Sequence, residues 1–98
     1  MVIRIVELSI QKEKFSLAKK YLAEVAPKVR NSKGCTHLRI VIDLHEAGHV
    51  TTYSHWNSED DLNAYRKSEV FINFWSQIKP LFDRPARAWS SRTLHDLP

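Results

Sequence analysis

Two kinds of hydrophobic periodicity alternate along the chain and restrict it to few topologies. Residues 2–10 are rich in β-branched side chains and too short for an ordinary helix, so they predict a first strand. Apolar residues then recur at steps of three and four, as in an amphipathic helix: Phe15, Ala18, Leu22, Val25 and Val29. Residues 35–44 and 49–56 are β-branched runs joined by a short loop containing Gly48, which predicts a β-hairpin.

A second helical region and a final strand complete the pattern. Ser58 followed by three carboxylates is typical of a helix start. The apolar spacing changes phase near Lys67 and Ser68 offers a second cap, so we predict two consecutive helical pieces with a bend. Residues 87–94 predict the last strand. The order is that of a ferredoxin-like βαββαβ fold, an α+β class with one antiparallel sheet, and residues 1–98 form a single domain.

The predicted sheet has apolar residues on both of its faces. The second strand has apolar residues at both even-numbered and odd-numbered positions, namely Leu38, Ile40, Val41 and Ile42. In a sheet with one solvent-exposed face, apolar and polar residues would alternate along each strand. The two helical regions cover only one face. A chain of 98 residues has nothing left for the other, so we expect a homodimer packed sheet against sheet, a homodimeric α+β barrel.

Scarce residue types exclude several classes of function. The only two glycines, Gly34 and Gly48, permit neither the dinucleotide fingerprint nor the phosphate loop. The single cysteine, Cys35, permits no internal disulfide and no multi-cysteine zinc site. No apolar run approaches the ~20 residues of a membrane span and the N-terminus is not a signal-peptide core, so we expect a cytoplasmic protein without a membrane partner.

The net charge of +4 suggests nucleic acid, yet its distribution does not. The basic excess lies between Lys12 and Lys33, on the first helix. RNA-recognition domains share the predicted element order, but they stack bases on sheet aromatics, and residues 50–55 do not fit their strand motif. We therefore expect no nucleic-acid partner, with RNA binding kept as a minor alternative.

Two short motifs imitate catalytic signatures. Residues 45–49 read His-Glu-Ala-Gly-His, a match to the zinc motif that works only on a helix, yet they contain Gly48 and join two strands. We interpret them as an exposed turn. Cys35 and His37 are two apart on one strand, so their side chains would share a face, but no third group orients the histidine. A small buried cysteine is the favoured interpretation.

Four polar side chains of the predicted hairpin could converge. His37 and Arg39 project from one face of the second strand, and Tyr53 and His55 from one face of the third. They could lie at the dimer seam, or they could line a ligand cavity in which a histidine acts as a base. Glu7 of the first strand is a possible fifth member.

Large aromatic residues are frequent for so small a domain. They follow helical or strand spacing and comprise Trp56, Tyr65, Phe71, Phe74, Trp75 and Trp89. Such rings first of all fill the core of a small domain. They would equally suit a mostly apolar small-molecule pocket with a few polar groups.

Residues 52–71, TYSHWNSEDDLNAYRKSEVF, resemble the strand-to-helix signature of the antibiotic biosynthesis monooxygenase family. Residues 3–8 and the Gly34-Cys35 step are similar to the family as well. The resemblance implies a dimeric α+β barrel with a pocket in each subunit between sheet and helices. It also implies oxygenation of quinol-like or anthrone-like aromatics by dioxygen with no metal or flavin cofactor, or haem degradation in a related branch.

The resemblance also assigns individual positions. Trp56 matches the tryptophan that ends the third strand, and Ser58-Glu59 match the helix start. Tyr65 falls where many quinol-oxidising relatives have histidine. Trp75 falls where the haem branch has its iron ligand, and an indole offers iron no lone pair. The first strand also lacks the asparagine of that branch, so a haem enzyme is the less favoured alternative.

Two functions therefore compete. The first is a cofactor-independent monooxygenase acting on a quinol, anthrone or naphthol, with His55, His37 and Tyr65 as catalytic residues and a histidine as the base. Substrate-binding residues would be Tyr53, Arg39, Phe71, Trp75 and Trp89. The second is a non-catalytic dimeric protein that binds a small aromatic ligand in the same pocket.

Overall fold

The computed structural model describes residues 1–98 and has the predicted order of elements. The strands are β1 (Val2–Ile10), β2 (Cys35–Ile42), β3 (His49–Trp56) and β4 (Phe82–Ser91). The helices are α1 (Phe15–Arg30), α2 (Glu59–Arg66) and α3 (Glu69–Ile78), with short 3-10 turns at Lys12–Lys14 and Lys79–Leu81. The fold is α+β and ferredoxin-like, as predicted.

One antiparallel sheet of four strands, in the order β2-β3-β1-β4, forms the centre of the molecule. In the middle of the sheet Tyr53 pairs with both Arg39 and Ile5, and Ile5 pairs with Trp89. This register places the four residues in one row on one face. Their sequence neighbours lie on the other face, because successive strand residues alternate.

The three helices cover the face formed by the even-numbered residues of β1. Leu8 and Ile10 pack there against Ala18 and Leu22 of α1. A second buried cluster joins the end of α1 to the end of the hairpin through Val25, Val29, Cys35, Trp56 and Leu62. The opposite face, which we call the outer face, has no helix over it and leaves Val41 44% and Trp89 37% exposed.

The turn between β2 and β3 contains the sequence that matches the zinc motif. Residues 43–48 are not helical, as predicted, and the Asp43 carboxylate accepts backbone N–H bonds from His45 and Glu46. Gly48 has a φ of 86°, and a β-carbon there would collide with the Ile10 carbonyl oxygen. The backbone N–H of Ile10 donates a hydrogen bond to the Gly48 carbonyl over 2.8 Å, so the backbone of this turn contacts the backbone of β1 directly.

The predicted bend between the two helical pieces is present, but the last strand differs from the prediction. β4 begins at Phe82 and ends at Ser91, and Pro85 lies inside it. The strand lies at the sheet edge, where a missing N–H is tolerated, and its pairing with β1 shifts register between Arg84 and Arg87. None of the three helices combines the length and the apolar character that a membrane-spanning helix needs.

Candidate active site

A cavity of about 310 Å³ lies between the helix-covered face of the sheet and the three helices. This volume is at the lower end of the range of small-ligand pockets, roughly 300–1,000 Å³. Most of its lining is apolar, and its polar and aromatic lining residues include Arg4, Thr52, Ser54, Tyr65, Phe71 and Trp75, with Arg66 at the rim.

One wall of the cavity is a run of aromatic rings. Tyr65 stacks on Trp56 with ring centroids 5.0 Å apart and meets Phe71 edge to face at 5.5 Å. Phe71 in turn stacks on Trp75 at 5.6 Å. Such contacts restrict the rings more than area burial alone would. The wall therefore offers a flat ligand a preformed surface.

The bend between α2 and α3 brings these rings together. Ser58 accepts a hydrogen bond from the backbone N–H of Asp61 over 3.1 Å and so starts α2. Ser68 accepts from the N–H of Phe71 over 3.3 Å and starts α3 directly after α2 ends. Tyr65 therefore lies in the last turn of one helix and Phe71 in the first turn of the next, facing the same space.

The hydroxyl of Tyr65 stays protonated at neutral pH. Burial, and to a smaller extent the neighbouring Cys35 thiol, raises the pKa of Tyr65 to about 12. Tyr65 can donate a hydrogen bond to a ligand, but it cannot serve as a base under physiological conditions.

The sheet contributes the polar part of the cavity. Ser54 is buried and its Oγ accepts the indole N–H of Trp56 over 2.9 Å. Arg4 of β1 projects from the same face and donates through Nη1 to Ser90 Oγ over 3.2 Å. Burial, and then the charge of Arg66, lowers the pKa of Arg4 from its usual value. A half-buried guanidinium is therefore the strongest electrostatic feature of this cavity.

A cluster of polar side chains from the hairpin lies on the outer face, where the sequence suggested that they converge. The rings of His37 and His55 have centroids 5.1 Å apart, and Tyr53 lies 5.0 Å from His55. Nε2 of His55 is buried without a hydrogen-bond partner. Desolvation lowers the pKa of His55, as do the nearby His37 and Arg39, while Asp96 opposes them.

Comparison with known proteins places this geometry in a family. The family model described as antibiotic biosynthesis monooxygenase matches residues 1–76. The chain belongs to this family. A comparison with curated protein sequences finds no match.

Several solved structures, among them members of the antibiotic biosynthesis monooxygenase family, have the same fold as this chain. The crystal structure of an antibiotic biosynthesis monooxygenase aligns with a TM-score of 0.92 at 17% identity, covering 97% of this chain and 100% of the other. A Nitrosomonas europaea protein gives 0.90 at 14% identity, with 97% and 100% covered. Rv0793 from Mycobacterium tuberculosis gives 0.89 at 18% identity, with 99% and 98% covered.

The structure divides the predicted site residues between the two faces of the sheet. Tyr65, Phe71 and Trp75 line the cavity. The others lie on the outer face: His37, Arg39, Tyr53, His55 and Trp89. The expectation that a histidine base and the aromatic wall share one pocket is therefore corrected, because the sheet backbone separates them.

The neighbouring Cys35 and His37 do not share a face either. The pairing of β2 with β3 shifts register between them, so Cys35 opposes Trp56 while His37 opposes His55. This β-bulge turns Cys35 into the helix-side core, where it is 6% exposed and burial raises the pKa of its thiol. The interpretation of Cys35 as a small buried residue is confirmed, and the shared face is wrong.

Sequence reasoning missed the polar residues of the cavity. Arg4, Thr52 and Ser54 line it together with Arg66. A signal was available for Arg4, because it has the same parity as the buried Leu8 and Ile10, and an arginine on the core face of a strand needs an explanation. Arg66 had no such signal, since it directly follows Tyr65 on an exposed helix end.

The cavity residues do not suit haem. Trp75 lines the cavity at the position that the resemblance assigns to an iron ligand, and its indole cannot coordinate iron. Tyr65 is the one lining residue with a recognised haem-ligating atom, and its raised pKa opposes the phenolate form that would bind.

Proposed function

We propose that this protein is a cofactor-independent monooxygenase that oxidises a small phenolic aromatic, such as a quinol, anthrone or naphthol, with dioxygen. The observation that carries the proposal is the cavity itself: an apolar space with an aromatic wall of Tyr65, Phe71 and Trp75 and a half-buried guanidinium opposite. Family membership supports the same reaction class.

The chemistry depends on forming the electron-rich anion of the substrate. No lining residue of the cavity is a histidine, lysine or carboxylate, and Tyr65 keeps its proton. The substrate hydroxyl therefore ionises to solvent, and the positive charge of Arg4 stabilises the anion inside the cavity. Tyr65 donates a hydrogen bond to the same oxygen, and the aromatic wall holds the ring in place.

Dioxygen then reacts with a ring carbon that carries hydrogen and is conjugated with that oxygen, the para carbon in a naphthol or anthrone and the ortho carbon in a quinol. Electron transfer followed by radical recombination forms a carbon–oxygen bond and a peroxide. Loss of the proton from this carbon breaks the O–O bond, leaving a carbonyl and releasing water. One substrate and one dioxygen thus give one quinone and one water, with the substrate as the only reductant.

Oxygen consumption with a panel of naphthols, anthrones and quinols tests the proposal. We expect one dioxygen consumed per quinone formed, and an Arg4→Met variant whose rate against pH is displaced to higher pH, because the substrate anion has lost its counter-charge. Lys67→Gln, which removes a nearby exposed cation outside the cavity, serves as the control. An absence of uptake across the whole panel would refute the proposal.

The lack of a side-chain base in the cavity favours a second candidate, a binding protein that sequesters a small aromatic ligand. It requires the same cavity without turnover. A rise in the unfolding temperature on adding a naphthol, with no oxygen consumed, would distinguish it from the enzyme.

We further propose that two copies pack through their outer faces into a homodimer. Trp89 and Val41 are exposed apolar residues there, and His55 Nε2 lacks a partner. Burial against a second copy would remove this apolar surface from water. In this arrangement the predicted residues His37, Arg39, Tyr53 and His55 belong to the interface.

A further inference from the structure

The charge of the cavity is unbalanced. Two arginines, Arg4 and Arg66, line it, and no aspartate or glutamate does. The ion pairs of the protein involve other arginines, namely Arg84 and Arg87. The only hydrogen bond that the Arg4 side chain donates goes to the neutral Ser90 hydroxyl. Both guanidinium groups therefore face the cavity without an anion.

The position of Arg4 leaves its guanidinium free to bind an anion. A guanidinium has five N–H donors in a planar fork, and most of those of Arg4 have no protein acceptor. Burial and the neighbouring Arg66 both act against its charge, which is the reason its pKa is lowered. A structural arginine on a core face is normally paired with a carboxylate. Here the guanidinium has no carboxylate beside it, so an anionic ligand that enters the cavity can supply one.

We propose that the ligand of this cavity is an aromatic acid whose carboxylate binds Arg4, with Arg66 at the rim adding to the positive potential. The planar fork of Arg4 matches a carboxylate in two parallel hydrogen bonds. The ring lies against Tyr65, Phe71 and Trp75, which provide the apolar part of the site. This inference rests on the proposed function for the location of the ligand, and it specifies the substrate class as hydroxyaryl carboxylates.

The same assignment fits the proposed reaction. In a hydroxynaphthoate the carboxylate on Arg4 is a fixed anchor, and the hydroxyl on the other ring ionises beside the Tyr65 donor and the positive charge of Arg66. The ring carbon para to the hydroxyl remains free to react with dioxygen. Oxidation retains the carboxylate, so one hydroxynaphthoate and one dioxygen give one quinone carboxylate and one water. The anchor therefore orients the substrate without being consumed.

A matched ligand pair tests the inference by binding alone. The probes are 5-hydroxy-2-naphthoate and 5-hydroxy-2-naphthamide, which have the same shape, differ in charge and carry the hydroxyl on the ring away from the carboxyl group. Titration calorimetry at neutral pH should show the acid binding about tenfold or more tightly, since hydrogen bonds between charged groups exceed neutral ones by that order. Equal affinities, or no binding of either probe, would overturn the inference.

Variants locate the preference within the molecule. Arg4→Met keeps the apolar stem of the side chain and should reduce the preference for the acid to within about threefold. Arg66→Gln, an exposed change that leaves the fold intact, should reduce it partly, and Lys67→Gln should leave it unchanged. A preference that survives Arg4→Met and Arg66→Gln together but disappears in Arg39→Gln would place the carboxylate on the outer face and overturn the inference.

Binding and turnover separate this inference from the proposed function. If the acid binds preferentially and no oxygen is consumed, the monooxygenase proposal fails and the aromatic-acid site stands. If the acid and the amide bind with equal affinity and oxygen is consumed equally with both, the aromatic-acid site fails and the monooxygenase proposal stands. Thermal unfolding of each variant confirms that it is folded before either result is interpreted.

Discussion

Tyr65 shows how burial decides the chemical role of a single residue. Its hydroxyl lines the cavity and its pKa of about 12 keeps it neutral. We expect Tyr65→Phe to retain the ring stack and lose a hydrogen-bond donor, which lowers kcat on the order of tenfold. The pH dependence of kcat should keep the shape of the wild type, because Tyr65 does not titrate in the reaction. Loss of one limb of the pH profile would show that Tyr65 is an acid or base after all.

His55 gives a second prediction for a single residue, this time for stability. Its pKa is lowered in the folded protein by desolvation and by His37 and Arg39, with Asp96 opposing, so the unfolded chain binds its proton more readily. The stability that His55 contributes should be fully present above about pH 6.5, the usual histidine pKa. The free energy of unfolding should fall as the pH is lowered below that value.

Urea unfolding at about pH 7.5 and 5.5 measures this dependence. His55→Gln should lessen the difference between the two free energies. His45→Gln, in the exposed hairpin turn, is the matched control and should leave the difference as in the wild type. An unchanged difference in His55→Gln would contradict the assignment.

Among the elements, the junction of α2 and α3 is the part on which the aromatic wall depends. Ser68 starts α3 by accepting the Phe71 N–H. We expect Ser68→Ala to lower the free energy of unfolding by about 1 kcal/mol, the usual effect of losing a helix cap, and to weaken naphthol binding as the wall loosens. Ser76→Ala, whose exposed hydroxyl bonds only within α3 to Asn73, should have a smaller effect on both.

The elements also show how far the sequence could predict the structure. The order of strands and helices, the stripe of α1 and the bend before Ser68 all followed from periodicity and capping. The start of β4 did not, because Pro85 in a strand is compatible only with an edge position that the sequence does not reveal. The β-bulge after Cys35 was equally hidden, since it depends on pairing with β3.

The candidate site was less predictable than the fold for the same reason. The sequence correctly brought His37, His55 and Tyr53 together, because residues two apart share a strand face. It could not determine whether that face is the one under the helices, which depends on how the hairpin registers against β1. The site predicted from the sequence therefore combined the aromatic wall with the histidines, although the sheet separates them.

For the whole molecule, the outer face has no helix over it and exposes Val41 and Trp89, which predicts self-association. Trp89→Glu should convert a dimer into a folded monomer in analytical ultracentrifugation, because a carboxylate in an apolar interface is strongly disfavoured. Leu17→Glu is the matched control, since Leu17 on α1 is 38% exposed and Trp89 is 37% exposed. A monomeric wild type at micromolar concentration, or a dimer unaffected by Trp89→Glu, would contradict the proposed interface.

The proposed reaction takes place in the cavity under the helices, and an oxygen electrode tests this most directly. With 5-hydroxy-2-naphthoate at neutral pH, the wild type should consume one dioxygen per quinone formed. Arg4→Met should reduce the rate about tenfold or more, while the double variant His37→Gln, His55→Gln should stay within about twofold of the wild type. Full activity in Arg4→Met with an inactive histidine variant would move the reaction to the outer face and contradict the account.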